Sequence, residues 1–120
     1  MDCGDVVNTD TAAAQAEGGI IFGLSAAWFG EITIAEGKVV QRNFHDYKMI
    51  RLADAPEVTV EFVQSGGELG GLGEPCVPPI GPAVTNAIFA ATGIRVRELP
   101  ICNTKLARGT STASRGESVI

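Results

Sequence analysis

Gly70-Gly71-Leu72-Gly73-Glu74-Pro75-Cys76-Val77-Pro78-Pro79 is the stretch around which this chain is organised. Glycines crowd one side of a single carboxylate, and prolines crowd the other. Glycine admits positive φ and lets backbone come close to a ligand. Proline fixes φ and removes a donor, so the segment after Glu74 reads as stiff and extended until a helix begins near Pro82. Ordering such a loop costs conformational entropy that some use must offset. One use is to hold the Glu74 side chain at one point of a pocket while unpaired backbone N–H groups face a polar or anionic ligand. The alternative is a Gly/Pro-rich surface turn with one solvated glutamate, which local composition does not exclude.

Length and charge bound the rest. At 120 residues the chain is one domain at most. A net charge of −5, with no basic patch before the last few residues, argues against a nucleic-acid partner. No apolar run reaches membrane-spanning length, because Ala26–Phe29 is cut off by Gly30-Glu31. Met1-Asp2-Cys3-Gly4 carries neither the basic region nor the apolar core of a signal peptide, so a cytoplasmic location is expected, with a periplasmic one open for a complete protein of which this chain is part. Cys3, Cys76 and Cys102 form no CxxC pair and His45 is the sole histidine, so reduced thiols and no structural zinc are expected.

In chain order, Cys3–Val7 reads as a short strand. Asn8-Thr9-Asp10-Thr11 supplies helix-capping residues, and a helix is expected over 11–29. Ala13, Ala16, Ile20, Leu24, Ala27 and Trp28 form its apolar stripe, while Gln15, Gly18, Gly19 and Phe22 share another face. Two glycines inside a helix each cost about 1 kcal/mol relative to Ala. They imply a close approach there, by another backbone or by a bound cofactor, with Gln15 one turn away. A hairpin follows over 31–41 around Glu36-Gly37. Residues 43–50 have no clear period, and His45 beside Asp46 and Tyr47 reads as a surface or structural residue ahead of an acid–base one. Residues 57–63 read as the clearest strand, with Val58, Val60 and Phe62 on one face and Thr59 and Glu61 on the other. A second helix is expected over 82–92, with Ala83, Val84, Ala87, Ile88 and Ala91 inward and Gly93 as its stop. Ile94-Arg95-Val96-Arg97 reads as a last strand, and residues 102–120 as a tail without fixed structure. The expected class is α+β, two main helices on a small mixed or antiparallel sheet.

Gly73-Glu74-Pro75, followed by residues 78–93, resembles the molybdenum-binding large subunit of the xanthine oxidase family near its C-terminal end. Within it, the branch with the isoquinoline 1-oxidoreductase beta subunit and related aldehyde dehydrogenases resembles the chain most. Asp2-Cys3-Gly4, Val7-Asn8, residues 15–25 and Asn43-Phe44-His45-Asp46-Tyr47 fall in the order that family shows, so the resemblance runs in register over residues 2–100. It implies that residues 1–101 are a C-terminal piece of a larger molybdopterin-binding domain.

The resemblance further implies that Glu74 is the catalytic general base, taking the proton from a water-derived oxygen that is transferred to an aldehyde or N-heterocycle. It implies that Gln15 contacts the pterin cofactor, and that Gly71, Leu72 and Gly73 lie beside it. The cofactor would be molybdopterin, as its cytosine dinucleotide, and the partners the remainder of the subunit and an iron–sulfur subunit. Burial of the base would raise its pKa toward the working range. Cys76 stands where a small residue such as Gly is common in that branch, and it reads as a buried thiol. Family subunits are several times longer than this chain. On its own the chain is therefore expected to bind no molybdopterin, to be inactive, and to self-associate through uncovered helix faces. A non-catalytic fragment or interaction module that needs a larger partner is the alternative.

Overall fold

The computed structural model describes residues 1–106. Asn8 opens the first helix, α1 (Thr9–Phe29), its side-chain oxygen accepting from the Thr11 N–H at 2.9 Å. This satisfies one of the orphan donors of the first turn. The helix starts two residues earlier than its hydrophobic pattern does. At the other end the Gly30 N–H closes on the Ala26 carbonyl at 2.9 Å.

The second helix, α2 (Ile80–Thr92), begins just after the proline run, with Pro79 at its N-cap. Pro82 lies in the first turn, where a missing N–H leaves no helical bond unmade. Gly93 ends it at φ 74°, the left-handed conformation of a helix stop, its N–H bonded to the Phe89 carbonyl at 2.8 Å. Of the face expected to point inward, Val84 and Ile88 are half-buried, but Ala83, Ala87 and Ala91 are exposed. The side turned toward the rest of the chain runs instead through Gly81, Val84, Thr85, Ile88 and Phe89, and no residue of α2 is fully buried.

Between the helices stands one two-stranded antiparallel sheet, β1 (Ile34–Ala35) and β2 (Lys38–Val39), with Ile34 opposite Val39 and Ala35 opposite Lys38. Glu36 and Gly37 both take positive φ, 51° and 73°, the type I′ geometry whose twist suits a tight hairpin. Polar contacts prolong the hairpin: the Gln41 amide oxygen accepts from the Thr33 N–H at 2.9 Å, and its nitrogen donates to the Thr33 hydroxyl at 2.9 Å.

Three expected strands do not form. Cys3–Val7 is bent at Gly4, which sits at φ 70°. Glu57–Val63 and Ile94–Arg97 keep the alternation read from sequence, with Val58, Val60, Phe62, Ile94 and Val96 half-buried and their neighbours exposed. A strand also needs a partner for its backbone groups. Around 57–63 that partner is, among the described residues, limited to Met1, which donates to the Glu61 carbonyl at 2.7 Å and accepts from the Val63 N–H at 2.6 Å.

The helices pack on each other, and α1 also packs on the 3-10 turn Ile101–Asn103, whose Ile101 is fully buried. The buried apolar side chains among the described residues are Ala16, Ala27, Pro100 and Ile101, whereas Val7, Phe44 and Leu52 are 90%, 92% and 95% exposed. Of the tail expected from Cys102, residues 107–120 lie outside the described residues.

The line of closest packing on α1 is Ala16, Gly19, Gly23 and Ala27, not the larger side chains of the expected stripe; Ile20, Leu24 and Trp28 are half-buried beside it. At Gly23 an added Cβ would lie 2.5 Å from the Val77 carbonyl oxygen and 3.2 Å from its Cα. We expect Gly23→Ala to destabilise the chain by about 1–3 kcal/mol, the usual penalty of overpacking, read as a lower urea midpoint.

A second expectation concerns pH. The Asp2 carboxyl is held below its ordinary 3.8, first by the Gly4 N–H and then by the Ser65 hydroxyl. A lowered folded value means that these bonds contribute fully above the unfolded value and are lost as pH falls through the folded one. The Gly4 amide resonance should therefore titrate with a midpoint below 3.8. In Asp2→Asn it should stay flat over the same range.

Candidate cofactor face at the glycine loop

The Gly70–Pro79 loop has no helix or strand of its own until Ile80. The Gly70 N–H donates to the Cys3 carbonyl at 2.8 Å, and the Val77 N–H closes a turn onto the Glu74 carbonyl at 2.8 Å. Cys76 and Val77 then lie flat against α1 over Gly19 and Gly23. Across this seam the Gln15 side-chain amide donates to the Gly73 carbonyl at 3.2 Å, 58 residues away in sequence. A residue singled out on the helix thus meets one singled out in the loop, immediately before Glu74.

Gln15, Gly18, Gly19, Phe22, Gly73 and Glu74 line one open cavity of about 550 Å³. Gly71 and Leu72 follow the same loop but lie outside that cavity; Gly71 is exposed and Leu72 half-buried. Glu74 is exposed in this chain, so the burial expected of a base is not supplied by these residues. Nothing among the described residues covers the open side of the loop.

The glycine pair divides between the two explanations open in the sequence. At Gly19 an added Cβ would stand 3.1 Å from Cys76 Cβ and 3.8 Å from Val77 Cγ2, so its smallness serves the packing of loop on helix. At Gly18 nothing lies within 4 Å, and the position faces the cavity. This bare helix edge, with the Gln15 amide beside it and glycine backbone opposite, is a surface that a flat polar group can approach closely. The residues present fit one wall of a pterin site.

His45 belongs elsewhere. Its Nε2 pairs with the Asp46 carboxylate at 2.8 Å, with the His45 side chain 78% exposed, and it borders a different hollow with Tyr47 and Arg51. This is the surface role read for it. Cys76 is half-buried rather than buried, its Sγ 3.7 Å from Met1 Sδ, and all three cysteines are free. Among the described residues no three His, Cys, Asp or Glu side chains are grouped to hold a metal ion.

Two polar anchors were not picked out from the sequence. Ser25, buried in α1, accepts from the Ile50 N–H at 3.0 Å and ties the irregular 43–55 segment to the helix. Asp2 joins the N-terminus to Ser65 at 3.0 Å. The Asp-x-Gly spacing, typical of a side chain that turns back onto its own backbone, is the signal that could have revealed the second. A serine on an apolar helix face offers no comparable signal.

Residues 1–56 match the molybdopterin cofactor-binding domain family. A membrane-bound aldehyde dehydrogenase (pyrroloquinoline-quinone) of Gluconacetobacter polyoxogenes is 43% identical over 109 residues, 91% of this chain and 14% of that protein. The isoquinoline 1-oxidoreductase subunit beta of Brevundimonas diminuta is 40% identical over 101 residues, 84% of this chain and 13% of that one. This chain belongs to their family. It spans about one seventh of the length of these relatives. In fold it is similar to a reconstituted CO dehydrogenase from Oligotropha carboxidovorans, with a TM-score of 0.65 at 23% identity over 79% of this chain and 13% of that one. Family membership agrees with the resemblance carried by Gly73-Glu74-Pro75 and by residues 15–25. Among the described residues no helix is long and apolar enough to cross a membrane.

The two glycines give separable outcomes. Gly18→Ala should raise stability by about 0.5–1 kcal/mol, because alanine loses less backbone freedom and meets nothing at this exposed position. Gly18→Leu should leave stability near that of the parent while lowering the molybdenum that co-purifies with the assembled protein. Calorimetry and metal analysis on the same preparations check both.

Proposed function

We propose that this chain supplies one wall of the molybdopterin site, and the general base, of a molybdenum hydroxylase. The enzyme would oxidise aldehydes or N-heterocycles with water as the oxygen source. The observation that carries this is the Gln15–Gly73 hydrogen bond, which brings the helix glutamine to the loop of Glu74 on a cavity edged by the open Gly18 position. Gln15 and the backbone of Gly71, Leu72 and Gly73 would hold the cofactor, as its cytosine dinucleotide. The cofactor supplies the redox chemistry.

The chain's own work is acid–base and positional. Glu74 is anchored within a closed turn by the Val77 N–H to its carbonyl, so its side chain leaves the loop at one defined place. There its carboxylate takes a proton from the water-derived nucleophile. The Gly73 carbonyl, committed to Gln15, keeps the preceding peptide from turning. Exclusion of water from the exposed side of Glu74 falls to the remainder of the subunit, and electrons would pass on to an iron–sulfur subunit. This division follows from the seventh of the relatives' length that the chain spans. It also accounts for the exposure of Val7, Phe44 and Leu52. The same exposure favours, as the second reading, a fragment that is inactive and self-associating when isolated.

Glu74→Gln in the assembled enzyme removes the proton acceptor and keeps the shape. Loss of a general base typically costs ~10²–10⁴ in rate, so turnover per bound molybdenum should fall by that factor while metal content holds. Near-normal turnover at full loading would remove Glu74 from the chemistry. A preparation holding a quinone and no molybdenum would overturn the cofactor assignment.

A further inference from the structure

We propose that Met1–Gly4 is a strap that sets the position of the Glu74 loop, with Asp2 and Ser65 as its positioning residues; this rests on Glu74 being the base. The 55–73 stretch that delivers the loop contains neither helix nor strand. Its position is fixed by what it touches, and much of that is the first four residues. Met1 pairs with the backbone of Glu61 and Val63 at 2.7 and 2.6 Å. Asp2 Oδ1 accepts from the Ser65 hydroxyl at 3.0 Å and from the Gly4 N–H at 3.1 Å. Ser65 Oγ in turn accepts from the Gly67 N–H at 3.2 Å, so one carboxylate orders both strap and stretch. Bonds to a charged acceptor are the stronger kind.

The strap then reaches both ends of the loop. Upstream, the Cys3 carbonyl accepts from the Gly70 N–H at 2.8 Å. Downstream, Met1 Sδ lies 3.7 Å from Cys76 Sγ. Gly4 makes the close fit possible: it is buried at φ 70°, and a Cβ there would run into the Glu68 carbonyl. The segment carrying Glu74 is therefore held from beneath by the strap as well as from the side by α1.

Asp2→Ala, Asp2→Asn and Ser65→Ala, each purified with whatever subunits accompany the chain, test this by amide hydrogen exchange and by turnover per bound molybdenum. In Asp2→Ala, exchange at Gly70 and across 70–77 should quicken about tenfold, as expected on loss of a stabilising hydrogen-bonded contact. The amides of α1 should be unaffected, and turnover should fall with KM little changed. Asp2→Asn keeps an oxygen for both donors and should restore most of the exchange protection and rate, with Ser65→Ala between. Unchanged exchange at Gly70 in Asp2→Ala overturns the strap, as does an equal rise throughout α1. Faster loop exchange with turnover unchanged also overturns it, provided that Glu74→Gln is inactive. If Glu74→Gln keeps turnover, the base assignment falls and the exchange result alone decides the strap.

Discussion

The contact on which the structure depends is the one between the Cys76-Val77 backbone and the glycine line of α1. With 2.5 Å between the Val77 oxygen and the place a Gly23 Cβ would occupy, no side chain fits there. The loop after Glu74 can therefore lie directly on the helix, and the proline run carries it from there into α2. Gln15, two turns before Gly23 on α1, then falls within reach of Gly73. Dispersion between close-packed atoms is weak per pair and substantial in sum. Here it acts between backbone and backbone, which needs small residues and not large apolar ones.

Around this seam the chain is held by polar ties more than by a core. Ser25 binds the 43–55 segment, Gln41 prolongs the hairpin, and Asp2 joins the N-terminus to Ser65. Net hydrogen-bond contributions are about 1 kcal/mol each, less than the burial of a large apolar side chain supplies. Among the described residues Ile101 is the single large side chain that is fully buried. A chain so built presents apolar surface outward and places its candidate site at an edge. That arrangement agrees with the proposed role as one wall of a larger pocket, and the relatives that the chain matches are about seven times as long.

The sequence by itself determined the local features whose cause is local. Asn8 as a cap, Gly93 as a stop and Glu36-Gly37 as a tight turn each follow from what one side chain or one missing side chain permits. Hydrophobic spacing located both helices to within two residues at their starts. The alternation of 57–63 and 94–97 was also legible, and burial follows it. Local motifs likewise marked Glu74, Gln15 and the glycine pair, and family membership agrees with the resemblance they carry.

Tertiary structure decided everything that needs a partner. Alternating residues become a strand only when another backbone meets their donors, and among the described residues 57–63 meets Met1 alone, along part of its length. Which glycine serves packing and which stays open could not be read from Gly18-Gly19, because adjacent helical residues point about 100° apart and only the approach of Cys76 distinguishes them. The face α2 turns inward differs from the one its pattern predicts for the same reason: its alanines are apolar on every side, and the neighbour selects the face. Periodicity fixes an element's own geometry; packing across 58 residues of sequence, as from Gln15 to Gly73, fixes what that geometry faces.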